Sequence, residues 1–84
     1  MENMQIDTDG ITVWINDSYG CIARFGVMGI DVHRTPEKQR NQGECLFCTH
    51  AKVTARDWER FKTKVLEHHG VVVADRYKPK RFCP

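Results

Sequence analysis

The chain has 84 residues, 40% hydrophobic and 29% charged, which sets the scale of one small globular domain whose core alone yields little net stability. A net charge of +2 is too small to argue for nucleic-acid binding by itself, and no apolar run approaches the length of a membrane span. The charge is unevenly placed: residues 1–33 sum to −4 and residues 34–84 to +6, which suits self-complementary association, an acidic partner for the second half, or ordinary uneven scatter.

Residues 1–10 read as a polar N-terminal arm. Met1 to Asp7 lacks the basic and apolar regions of a signal peptide, so the expected compartment is the cytoplasm, where thiols stay reduced. Residues 11–75 read as a single α+β domain, and residues 76–84 as a basic tail.

Ile11 to Ile15 is a β-rich run with Ile11, Val13 and Ile15 on one face. Trp14 then falls on the opposite face, where it is a candidate anchor for a partner. Turn formers from Asn16 to Gly20 lead into a second strand, Cys21 to Phe25. Gly26 and Gly29 bracket a tight turn at Val27-Met28, and Ile30 to Arg34 is the third strand of an antiparallel meander. Ile30 and Val32 share its core face. Asp31 and His33 share the other face, within reach of Arg24 across the hairpin; Arg24 is a second candidate partner contact.

From Thr35 to Val53 no periodic pattern is visible, apart from a single helical turn that Thr35-Pro36-Glu37 could cap. So long a loop is unusual in a small domain unless something ties it down. Cys45-Leu46-Phe47-Cys48-Thr49-His50 supplies the means, because a Cys-x-x-Cys pair with a nearby His is half of a tetrahedral zinc site. The expected ligands are Cys45, Cys48, His50 and His33, with Cys83, His68 and His69 in reserve. Four protein ligands make a structural zinc site, and three with a water make a hydrolytic one. Reduced packing cysteines and a redox or disulfide role are the competing readings. Attachment of c-type haem is excluded because Thr49 separates Cys48 from His50. A thioredoxin-like site is excluded because the next helix starts too far downstream.

That helix is predicted from N-cap Thr54 to Gly70, with Asp57 at N3 and an apolar stripe of Trp58, Phe61, Val65 and Leu66. Val71 to Ala74 reads as a final inner strand, which completes a βββαβ order: a three-stranded meander, a long Cys/His loop, one helix packed on the sheet, and a last strand. The expected core is Ile11, Val13, Ile15, Ile30, Val32, Trp58, Phe61, Val65, Leu66, Val71 and Val73. The tail should be extended, with Arg76, Lys78, Lys80 and Arg81 available to an acidic protein or to phosphates, and Tyr77 or Phe82 available for base stacking.

No phosphate loop, dinucleotide fingerprint, nucleophile elbow or His-Glu-x-x-His is present. The reading that follows is a non-enzymatic interaction module, stapled by zinc, acting on a protein and, as a lesser expectation, on nucleic acid through the tail. Its alternatives are a metal-free accessory or inhibitory protein that docks on a larger machine, and a small zinc hydrolase in which Asp31 or Glu44 stands beside the metal.

Overall fold

The computed structural model describes residues 4–18, 20–34 and 45–82, with Cys45 described by its backbone only. Five antiparallel strands form one sheet in chain order: β1 (Gln5–Thr8), β2 (Val13–Asp17), β3 (Gly20–Gly26), β4 (Gly29–His33) and β5 (Cys45–Thr49). Among the described residues one α-helix, α1 (Ala55–His69), follows them. Two short 3-10 turns, Asp75–Tyr77 and Lys80–Phe82, end the described chain. The class is α+β.

The meander is joined by tight connections. Asp17 pairs with Gly20, and Gly26 pairs with Gly29 across the turn at Val27-Met28. Gly29 is required by close approach, since a Cβ there would lie 2.6 Å from the backbone oxygen of Thr49. Two register shifts sharpen the twist. Between β2 and β3 the pairing steps from Ile15–Ala23 to Asn16–Cys21, which leaves Ile22 extra and buries it beside Ala23. Between β4 and β5 it steps from Val32–Phe47 to His33–Cys45, which leaves Leu46 extra.

One sheet face and the helix enclose the core. Val13, Ile15, Phe25, Ile30 and Val32 meet Trp58, Phe61 and Val65, all of them fully buried. Phe25 is the centre of an aromatic cluster, edge-on to Trp58 at 5.2 Å and beside Phe61 at 5.4 Å and Phe82 at 6.0 Å. The helix starts where the sequence places it. The Asp57 carboxylate accepts the Thr54 N–H at 2.8 Å, and this bond is the chief reason its pKa lies below the ordinary carboxylate value. The helix stops at Gly70, whose left-handed backbone (φ 67°) lets its N–H reach the Leu66 carbonyl.

The βββαβ order is corrected in three places. Gln5–Thr8 is an edge strand paired with β2, although only Ile6 among its residues is apolar. Cys45–Thr49 is a strand rather than part of a loop, because its backbone pairs with β4. Val71 to Ala74 joins no strand. All five strands precede the helix, and the returning chain packs Val73 into the core while Val72 stays 74% exposed.

The expected core needs the same kind of revision. Ile11 is exposed because it sits in a turn before β2, where the Asp9 carboxylate accepts the N–H groups of Ile11 and Thr12. Leu66 lies at the margin of the helical stripe and is half exposed, and Val71 is only partly buried. Ile22, Ala23, Phe25 and Val53 belong to the core instead.

Residues 76–82 also depart from an extended course. Lys80 donates its N–H to the Gly10 carbonyl at 3.0 Å, Pro79 is fully buried, and Phe82 reaches Phe25. The helical turn expected at Thr35 lies outside the described residues, as do Glu44 and Cys83. Among the described residues, no helix is long and apolar enough to cross a membrane.

Candidate functional site

Strand alternation turns every second residue away from the helix, and the register lines those residues up. Asp7 pairs with Trp14, Trp14 with Arg24, Arg24 with Asp31, and Asp31 with Cys48. The result is a row of polar and aromatic side chains across all five strands on the face that the helix leaves open. At its β1 end, the Asp7 carboxylate accepts amide hydrogens from Asn16 at 3.2 Å and Gln5 at 3.4 Å.

The β4–β5 end holds the chemistry. Donor atoms of Asp31, His33 and Cys48 all lie within 4.8 Å of one another, and all three residues are partly buried. These three could hold one metal ion. Tetrahedral zinc, with bonds of about 2.0–2.3 Å, brings its donors to roughly 3.3–3.8 Å apart, so the side chains need to draw in by about 1 Å.

The two oxygens of Asp31 face different partners. Oδ2 accepts from the Arg24 guanidinium at 2.8 Å, while Oδ1 stands 4.0 Å from Nε2 of His33. Arg24 can therefore hold the carboxylate in place while the other oxygen turns to an ion. The His33 main chain is fixed from behind, because His69 Nε2 bonds its carbonyl at 2.7 Å. A carbonyl only accepts, so this nitrogen must carry the hydrogen. The guanidinium of Arg60 lies 5.0 Å from the centre of the Phe47 ring and ties β5 to the helix.

Of the ligands expected from sequence, His33 and Cys48 are brought together. The Cα of Cys45 is the register partner of His33. His50 is exposed just beyond β5 and stands outside the cluster. Asp31 takes the place assigned to it. Its alternation with His33 was the visible signal, but its proximity to Cys48 depends on a strand pairing that no local pattern reports. Cys48 is also disulfide-bonded, so it can serve as a metal ligand only once reduced.

A shallow cleft of about 300 Å³ adjoins the cluster, lined among others by Trp14, Arg24, Met28, Asp31, Thr49 and His50. Trp14 is partly buried in it, Arg24 is exposed, and Met28 is 65% exposed at the hairpin turn. The basic residues of the tail are engaged differently. Arg76 lies 4.9 Å from the Tyr77 ring centre and donates to its hydroxyl at 2.9 Å, and Arg81 lies 4.3 Å from the Phe82 ring centre. The Lys78 N–H bonds the Asp75 carbonyl, and Lys80 covers Gly10 with its methylenes.

No protein-family model, curated protein or solved structure matches this chain.

Proposed function

We propose that the chain is a small non-enzymatic binding module whose open sheet face docks a protein partner and whose edge strand is clipped to the sheet by a structural zinc. The observation that carries this reading is the convergence of Asp31, His33 and Cys48 donors within 4.8 Å on the β4–β5 pair. One sulfur, one imidazole nitrogen and one carboxylate oxygen form a donor set suited to zinc. Cys45, opposite His33 in the register, is the natural fourth ligand and would close the site.

The docking surface follows from the same row. Trp14 offers a large apolar contact, Arg24 a charged one, and the cleft between them a place for a side chain. A protein partner is favoured over nucleic acid because Arg76 and Arg81 already stack on Tyr77 and Phe82, the rings a base would need.

The test is native mass spectrometry of the phosphine-reduced protein with added zinc. One zinc per chain is expected, lost in Cys48→Ser and in His33→Ala. A folded, reduced chain that takes up no metal would overturn the zinc clip and leave a metal-free docking protein. A zinc that survives Cys45→Ser and exchanges a water would instead favour the hydrolytic reading.

A further inference from the structure

A short row on the sheet face away from the helix carries charges that complement themselves. Asp7 on β1, Trp14 on β2 and Arg24 on β3 are successive register partners, so they stand abreast at strand spacings of about 4.8 Å. The anion and the cation thus flank the indole symmetrically, one strand to either side. Among the described residues both charges have bonding capacity left. The exposed Asp7 carboxylate accepts from the neutral amides of Gln5 and Asn16 and pairs with no described cation. The Arg24 side chain is 53% exposed and gives one Nη to Asp31, which leaves its other N–H groups to bond outward.

We propose that the partner of this face is a second copy of the chain, docked sheet to sheet about a two-fold axis that runs along β2. This rests on the docking-face reading above and names its occupant. Rotation about that axis keeps β2 over β2 and exchanges the strands on its two sides. Asp7 of one copy then faces Arg24 of the other, twice over, and the two Trp14 rings meet on the axis. Sheets packed face to face stand about 10 Å apart, a gap that an Asp and an Arg reaching from opposite walls span together. An axis across the strands would instead set Asp7 on Asp7 and Arg24 on Arg24, and such like-charge contacts exclude it. Any other protein must supply a cation, an apolar group and an anion in this order, whereas a second copy already does.

The interface is isologous and closes at two copies. Three strands of each sheet overlap, which keeps the buried area below the roughly 1,200 Å² of a stable complex and makes the dimer weak and reversible.

The experiment is sedimentation equilibrium over chain concentrations from about 10 µM to 1 mM, where so small an interface associates. Wild type should pass from monomer to dimer across the series. Trp58 is fully buried in the core, so a change in tryptophan emission on dilution reports Trp14. Asp7→Lys and Arg24→Glu should each weaken the dimer at least 10-fold, since each sets two like-charge pairs in the interface. Mixed in equal amounts, the two variants should associate as wild type does. The new lysine of one meets the new glutamate of the other, and the native Arg24 and Asp7 form the second pair. Asp7→Lys occupies an exposed edge position and carries the test if Arg24→Glu, set beside Asp31, fails to fold. A wild-type chain that stays monomeric, a dimer indifferent to the charge variants, or a mixture that does not recover overturns this inference alone and leaves the face to a different protein. A dimer in which hydroxyl-radical footprinting protects the exposed side of α1 and leaves Trp14 reactive overturns the docking-face reading, and this inference with it.

Discussion

At the scale of single residues, the contact between β4 and β5 depends on an atom that is missing. A Cβ at Gly29 would meet the Thr49 backbone oxygen at 2.6 Å, and a backbone oxygen in a paired strand cannot swing aside as a long side chain can. Gly29→Ala must therefore push β5 away from β4, at about 1–3 kcal/mol by analogy with overpacked cores. The displaced pair is the one that gathers Asp31, His33 and Cys48, so the same variant should weaken zinc binding. Gly26, its partner across the turn, is the control. A Cβ there finds its nearest neighbour at 3.6 Å, an ordinary contact, and Gly26→Ala should be far milder. Urea melts and zinc titrations of the two variants check this. Equal behaviour would mean that close strand approach at Gly29 is not what sets the site.

At the scale of elements, one carboxylate makes two side-chain hydrogen bonds from the chain after the helix back to the helix. Asp75 Oδ1 accepts Lys62 Nζ at 2.7 Å and the Trp58 indole N–H at 3.0 Å. The Lys62 hydrogen bond, then the Trp58 one, hold the Asp75 pKa below its ordinary value, and the Asp75 bond raises that of Lys62. The signs define a window. A depressed carboxyl contributes its full stability above its unfolded value, near pH 4, and loses it as pH falls through the lower folded value. A raised lysine contributes below its unfolded value, near pH 10, and loses it as pH rises through the folded one. Asp75→Asn should therefore flatten part of the acid limb and part of the alkaline limb of a stability–pH curve. Asp57 and Asp9, depressed by backbone amides, will keep some acid slope. An unchanged curve would show that water screens this exposed pair completely.

The helix was also the most legible element, and the reason is local. Thr54, Asp57, the stripe from Trp58 to Val65 and Gly70 each state their role within a few residues. The first and last strands were hidden for opposite reasons. Gln5–Thr8 carries one apolar residue, so its alternation has almost no signal, and it is a strand because β2 presents it with an edge. Cys45–Thr49 has strand composition, but a Cys-x-x-Cys spacing fits a metal loop equally well, and only its pairing with β4 decides. The valines after the helix mislead in the other direction, since β propensity needs a partner strand and no described strand pairs with them. The site was half legible for the same reason: Asp31 and His33 alternate in plain sight, while Cys48 joins them only through long-range register.

At the scale of the molecule, helix and tail seal one face of the sheet, and no other described element packs on the second face. Both edges are thin: among the described residues β1 pairs only with β2, and β5 only with β4. The two edges differ in what else holds them. Asp7 on β1 takes a side-chain hydrogen bond from Asn16 on β2, whereas β5 leans on Phe47 beneath Arg60 and on the proposed metal. A zinc shared between β4 and β5 would act as a cross-link at one edge, so its effect should be local before it is global. At 100-fold excess over its dissociation constant, zinc adds about 2.7 kcal/mol to the folded state. For a domain of this size that is roughly 10–20 °C in melting temperature. Amide hydrogen exchange separates the two contributions, because local opening and global unfolding protect different amides. In the reduced chain, zinc should slow exchange most at Cys45–Thr49 and least at Gln5–Thr8, the opposite edge serving as internal reference. Equal slowing at both edges would place the metal's effect on global unfolding and argue against a clip at β5. A melting shift that persists in Cys48→Ser would place the metal elsewhere. A shift confined to the reduced wild-type chain, with protection concentrated on β5, would identify the metal as the clasp that holds this edge strand to the small sheet.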